Sequence, residues 1–322
     1  MRSSAWSLSR SQSSRSGAER VVLGHIRHNR LMDRPPYRHS AIFDRPKLRL
    51  PDGKRIAVWC GINIEHYSFG VPALSLAPFT AQFVPDPLNY GWRDYGPRVG
   101  LWRIIEVLDD TGIPPTAIVN SEVCSRYPEI VTEGRKRGWC WVAHGANNST
   151  LQGSMTPDTE RQYVSKVTED IERATGARPT GWLAPALTAS PHTYDLLVEL
   201  GYTYSLDWSI DDEPVDLDVD AGPMCAVPYS VELNDLPFFA IQGQSAADFA
   251  DALVDQFEQM YEEGADRPRI LGFGVHPFLS GQPFRARHLR RALVHMARYD
   301  DAWFTTSDEV AALQRTEPQS TA

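Results

Sequence analysis

Apolar residues arrive along this chain in two kinds of run. Short runs with few polar interruptions stand at 55–62 (RIAVWCGI), 116–120 (TAIVN), 139–144 (WCWVAH), 180–185 (TGWLAP), 202–208 (YTYSLDW), 226–230 (AVPYS) and 269–276 (RILGFGVH). Their length and their content of Val, Ile, Trp and Tyr predict strands, the most apolar of them buried on both faces. Between them, at 99–110, 127–137, 157–173, 191–200, 245–263 and 287–298, apolar positions recur with the helical repeat. Gly112 with Pro114 and Pro115 stops the first of these helices, Gly138 the second; Thr156 and Pro157 open the third and Gly176 closes it.

Short strands alternating with helices of this length imply a parallel sheet, and about seven such units favour a barrel over an open sheet. The expected fold is α/β, a distorted (β/α)7 barrel forming a single domain over 54–314. Residues 1–31, rich in Ser and Arg, read as a disordered tail or as sequence upstream of a true start at Met32. Residues 32–53 read as an extended, proline-punctuated arm, and 315–322 as a C-terminal tail. The segment 70–96 is aromatic, proline-bearing and aperiodic, as binding loops and lids are.

Composition narrows the function. A net charge of −9 and a pI near 5.5 argue against a general nucleic-acid or anionic-membrane binder. No apolar run reaches the roughly 18 residues of a membrane span. Cys60, Cys124, Cys140 and Cys225 are far apart and form no CxxC pair, which predicts free thiols in a reducing, cytoplasmic setting. The partner implied is a small-molecule substrate, with assembly into a homo-oligomer.

In parallel α/β folds, ligands and catalytic groups gather at the C-terminal ends of strands. The first strand runs into Asn63, Glu65 and His66, the third into His144 and Asn148, the fifth into Asp207, Trp208, Asp211, Asp212 and Glu213, and the last into His276. Each alone has a plain structural reading, as a satisfied core histidine or a solvated acidic turn. Three histidines and a carboxylate at separate strand ends point together to one site. Trp182 and Trp208 are candidates to line its pocket, with ordinary core filling as the alternative.

These residues carry a resemblance. The chain resembles the NodB-homology, or polysaccharide deacetylase, superfamily over roughly 54–313, and within it the branch of PuuE-type allantoinases and cyclic imide hydrolases. The run Asn63-Ile64-Glu65-His66 stands where the family has its first motif, HGANN at 144–148 stands for the second, and GWLAP for the third, with Leu183 where an Arg is usual. SLDWSIDDEP resembles the fourth motif and HPFLSGQPFR the fifth; the latter, with Tyr-Gly-Pro-Arg at 95–98, leans toward the allantoinase-like branch. The resemblance implies Glu65 as the base that activates water and His276 as the general acid, with Asp211 or Asp212 holding an imidazole in its tautomer. It also implies His66, His144 and Asn148 as a metal set, although a neutral amide is a poor third ligand for zinc. The pattern therefore leaves two routes open: one divalent metal, zinc or similar, or none, with Arg98, Asn63 and Asn148 stabilising an oxyanion. The implied activity is hydrolysis of a carbon–nitrogen bond in a small cyclic amide, ureide or imide; the alternatives are a carbohydrate or peptidoglycan N-deacetylase and a non-catalytic binding protein on the same barrel.

Overall fold

The computed structural model describes residues 34–71 and 76–316, so the expectations for 1–31 and for 317–322 lie outside the described residues. The strands are β1 (Ile56–Ile64), β2 (Pro115–Val119), β3 (Cys140–Ala143), β4 (Gly181–Trp182), β5 (Tyr204–Ser205), β6 (Val215–Leu217), β7 (Met224–Ala226), β8 (Arg269–Val275) and β9 (Ala302–Phe304). They form one sheet in the order β6-β7-β5-β4-β3-β2-β1-β8, with β9 added beside the first half of β1. The pairings from β7 through β8 are all parallel, so seven parallel strands make up the barrel wall, as the alternating pattern predicts. β6 is an antiparallel addition on β7.

The sheet curls into an incomplete barrel whose open side faces β8. Residues beyond β7 close it: Ser230 N–H donates to Gly272 O, Gly274 N–H donates to Leu233 O, and Asn234 bridges Gly274. The extended arm crosses the same side. Tyr37 packs edge-on against Trp208, and Arg45 pairs with Asp211 at 2.7 Å. Arg267 reaches the carbonyls of Arg45 and Pro46, and Leu48 and Leu50 then join the inner core.

Two apolar layers follow from the period of two in each strand. In β1, Ile56, Val58, Cys60, Ile62 and Ile64 face the outer layer, where helices such as α1 (Leu101–Thr111) and α2 (Ala246–Glu263) cover them. Ala57 and Trp59 face inward, together with Ile118, Val142, Leu183, Tyr204 and Tyr229. In β8, Leu271, Phe273 and Val275 face out, leaving Ile270, Gly272 and Gly274 on the inner side. The glycines are required there by close approach. A Cβ at Gly272 would fall 2.4 Å from Trp59 Nε1, and one at Gly274 would fall 2.3 Å from the Tyr229 hydroxyl.

Four α-helices and two strands went unread in the sequence: Pro87–Tyr95 inside the supposed loop, Ser121–Arg126, Pro277–Ser280, Ser307–Thr316, and the three-residue strands β6 and β9. The Pro87–Tyr95 helix is announced by Asp86, whose side chain caps Asn89 N–H, and by proline at its first position. All four cysteines are free. Among the described residues, no helix is long and apolar enough to cross a membrane.

Candidate active site

Three inward columns end at the barrel mouth. Continuing the inner parity of β1 past Trp59, Gly61 and Asn63 gives Glu65; that of β3 past Val142 gives His144; that of β8 past Gly272 and Gly274 gives His276. The side chains meet as that parity requires. Glu65 Oε1 lies 3.3 Å from His144 Nε2 and 3.5 Å from His276 Nε2. Asn148 Nδ2 donates to Oε1 at 2.6 Å, and the Tyr67 hydroxyl donates to Oε2 at 2.8 Å.

Both imidazoles have their Nδ1 side committed. His144 Nδ1 sits 2.7 Å from the Leu183 carbonyl oxygen, so Nδ1 carries a proton. His276 Nδ1 sits 2.7 Å from Asp235 Oδ1. Asp235 is fully buried and also accepts from the backbone N–H of His276 and Ser280 and from the Ser280 hydroxyl. Burial works against a charged His276, but the facing carboxylates of Glu65 and Asp235 outweigh it and push its pKa up to about 10. Burial likewise works to raise the Glu65 carboxyl, yet the His276 charge and the hydrogen bonds from both histidines hold it well below the ordinary range. Glu65 is an anion facing an imidazolium.

The polarity of the amide network is fixed from one end. The backbone N–H of His66 can only donate, and it donates to Asn120 Oδ1 at 2.8 Å. Asn120 Nδ2 must then be the donor to the His144 carbonyl and, at 2.9 Å, to Asn148 Oδ1. That turns Asn148 Nδ2 toward Glu65.

Several residues predicted for the site are not brought to it. His66 comes only to its edge, with the opposite parity to Glu65 but lining a small cavity beside it: its Nδ1 lies 3.3 Å from the Tyr127 hydroxyl, and its Nε2, buried with no hydrogen-bond partner, lies 3.8 Å from Glu122. Trp182 faces the outer layer and packs edge-on against Tyr202, because its neighbour Leu183 takes the inward position. Asn63 points inward but spends its amide hydrogens on the Tyr229 hydroxyl and the Val275 carbonyl, leaving none for an oxyanion. Arg98 is 72 % exposed and lies 3.9 Å from Asp94. Its Tyr-Gly-Pro-Arg segment serves packing instead: a Cβ at the nearby Gly100 would fall 1.9 Å from the Pro277 carbonyl oxygen. Asp211 and Asp212 sit beside the start of β8, where Ile270 N–H donates to the Asp212 carbonyl, at the far end of that strand from His276. They line a cavity of about 510 Å³ that Glu65, His144 and His276 do not line. The imidazole is held by Asp235, not by either of them.

Asp207 and Trp208 stand closer. Asp207 accepts from Ala184 N–H at 2.7 Å and the Tyr194 hydroxyl at 3.3 Å, and burial raises its carboxyl to about 6 despite those bonds. Trp208 lies half-buried between Tyr37 and Tyr194.

Residues 92–205 match the family model described as Polysaccharide deacetylase. A Schizosaccharomyces pombe protein named for the same family is 25 % identical over 292 residues, covering 81 % of this chain and 90 % of its own. The crystal structure of PuuE allantoinase superposes with a TM-score of 0.76 at 26 % identity, covering 86 % of this chain and 95 % of that one. A Pseudomonas aeruginosa PAO1 structure, also named for polysaccharide deacetylase, gives 0.77 at 26 % identity over 85 % and 96 %. Residues 92–205 thus carry a polysaccharide deacetylase domain match, and the fold is that of the NodB-type barrels it superposes on. The deacetylases and the allantoinase this chain resembles are hydrolases acting on carbon–nitrogen bonds other than peptide bonds.

The donors expected for a metal in this deacetylase domain do not fit one. Asn148 offers its nitrogen, since its oxygen is bound to Asn120, and an amide N–H is no ligand. His66 Nε2 is buried without a hydrogen-bond partner while His144 Nε2 faces Glu65, and no group of three His, Cys, Asp or Glu side chains among the described residues is arranged to hold a metal ion. Sequence reasoning also overlooked Tyr67, Asn120 and Asp235. Asn120 stands at the end of the second predicted strand and could have been found by the same rule that found His144. Asp235 lies in a connection with no strand signal, and only a lone acid within LNDLPFF marks it.

Proposed function

We propose that the deacetylase domain hydrolyses the carbon–nitrogen bond of a small cyclic amide, ureide or imide. The observation that carries this is the Glu65 carboxyl 3.5 Å from the His276 imidazole, whose mutual charge holds the first below its ordinary range and raises the second above it. One can take a proton from water while the other gives one to the departing nitrogen. The water oxygen bonds to the carbonyl carbon as its proton passes to Glu65; collapse of the tetrahedral adduct breaks the C–N bond, and the nitrogen takes the proton of His276 Nε2. Passage of the proton from Glu65 back to His276, across the same gap, restores the starting state. A cavity of about 10 Å³ beside Glu65, walled by His66, Tyr67, Tyr90, Arg93, Asp94 and Tyr127, has the volume one water needs.

Enclosure supports a small substrate over a polymer. The side chains of Glu65, His144 and His276 are 5, 3 and 6 % exposed, whereas a glycan chain requires an open groove. Likeness to PuuE allantoinase along nearly the whole of both chains agrees with this reading.

The test is turnover of a panel of allantoin, hydantoins, cyclic imides and N-acetylglucosamine oligomers. Ring opening of any small cyclic amide supports the proposal. Turnover of the oligomers alone replaces it with N-deacetylation, and silence from the panel sinks the proposed substrate class.

A further inference from the structure

An attacked amide places growing negative charge on its carbonyl oxygen, and something must hold that charge. Of the three residues expected for this, Arg98 is on the surface, Asn63 is fully committed, and Asn148 directs its amide hydrogens to Glu65 at 2.6 Å and to the Tyr67 hydroxyl at 3.4 Å. Two positions beyond Glu65 stands Tyr67, whose hydroxyl donates to Glu65 Oε2 at 2.8 Å and lies 3.4 Å from Asn148 Nδ2. The Arg93 guanidinium lies over its ring, 3.7 Å from the centroid, and both side chains are buried. A cation on the ring face withdraws electron density and makes the phenol a stronger donor. Burial and the Glu65 charge keep that phenol protonated well above its usual pKa, so it remains a donor wherever His276 is charged.

We propose that Tyr67, backed by Arg93, is the electrophilic catalyst of this site and donates its O–H hydrogen bond to the carbonyl oxygen of the substrate as that oxygen becomes an oxyanion. The inference rests on the hydrolase reading above. Its logic follows the charge. In the resting site the strongest acceptor within reach of Tyr67 is the Glu65 carboxylate. When Glu65 takes the proton of the attacking water it becomes neutral and the anion is on the substrate, so the hydrogen bond is worth most in the transition state. Tyr67 lends the hydrogen bond and transfers no proton; the proton balance remains that of Glu65, water, His276 and the leaving nitrogen.

Tyr67→Phe keeps the ring beneath Arg93 and removes only the donor. We expect kcat to fall about 100- to 1,000-fold, with KM within about threefold. A kcat plateau within about fivefold of wild type, with only the acid limb displaced, would assign Tyr67 to positioning Glu65 and overturn the proposal. A binding measurement separates this inference from the substrate reading. Methylphosphonate, a tetrahedral oxyanion, is titrated by phosphorus NMR into Glu65→Gln, where like charge no longer repels it, and into Glu65→Gln with Tyr67→Phe. Binding at least tenfold weaker in the double variant supports Tyr67 even if the panel above finds no substrate; equal affinity, or no binding by Glu65→Gln, overturns it.

Discussion

The two ends of β8 hold two clusters of buried acids and bases that differ in one chemical respect. At its start, Arg267 and Arg269 lie 3.2 and 3.8 Å from Glu213, while Arg45 of the arm pairs with Asp211. Beyond its end, His276 lies between Asp235 and Glu65. A guanidinium does not give up its proton in any pH range a protein survives, so the first cluster can only hold parts together, joining the arm to the barrel. An imidazole between two carboxylates can lose and regain one. Burial and charge pairing are common to both ends; only the mouth has a proton to move.

The comparison is broken most directly at Glu65 and His276. Glu65→Gln and His276→Ala should each lower kcat/KM by at least about 100-fold, in keeping with loss of a general base or acid. Asp211→Asn, at the other end of β8, should leave kcat/KM within about twofold. A comparable loss from Asp211→Asn would show that the seam takes part in the chemistry after all.

Asp235→Asn should act through His276 rather than on substrate. Activity requires Glu65 ionised and His276 protonated, so the lowered carboxyl keeps it present on the acid side and the raised imidazole makes it fail as pH rises through about 10. Removing the Asp235 charge takes away one of the two supports of that raised value. The alkaline limb of the pH profile should move to lower pH, with KM little changed. Stability follows the same sign: the folded-state contribution of His276 is complete below about 6.5 and is lost as pH rises toward 10. An alkaline limb unmoved in Asp235→Asn would refute the positioning role.

Since Asn148 turns its nitrogen to Glu65 and no three ligating side chains among the described residues are arranged for a metal, a strong chelator should leave kcat within about twofold. Progressive loss of activity on dialysis against chelator, restored by a divalent ion, would mean that the mouth rearranges around a metal, and the proton account would have to be rebuilt.

The strand ends were legible in the sequence, and so was more than was used. Within RILGFGVH the glycines alternate with large apolar residues, which already puts His276 on the glycine side and therefore inside. The same count of two places Glu65 with Trp59 on the inner face, His66 with Ile64 on the outer one, and Trp182 opposite to Leu183. Reading strand ends without parity is why His66 was grouped with His144 rather than placed at the edge of the site, and why Trp182 was expected in the pocket. Asp235 could not be found that way. Its contact with His276 spans 41 residues and depends on the bridge from Asn234 to Gly274, which the pattern of neither segment encodes. The acidic run Asp211–Glu213 misled for the opposite reason: it follows a strand in sequence, but the chain has already turned back along the seam to the start of β8.

The smallest expected effect on catalysis is also the sharpest test of the seam. Glu213 is 7 % exposed and faces Arg267 at 3.2 Å, with Arg269 at 3.8 Å and Arg45 at 4.0 Å. Glu213→Gln keeps the shape and removes the charge, leaving these guanidiniums with Asp211 and Glu263 as nearby acids. Breaking a buried pair from one side costs about 3 kcal/mol or more, because the remaining charge has lost its compensation. Unfolding by denaturant should show a midpoint lowered by that free energy divided by the slope, with the slope itself unchanged, while kcat and the alkaline limb stay as in wild type. A variant that kept full stability would mean that water solvates these arginines, and the seam would then be no more than a surface cluster. A variant that lost activity without losing stability would instead show that the two ends of β8 are coupled, because the strand that begins at Arg269 delivers His276 to the mouth.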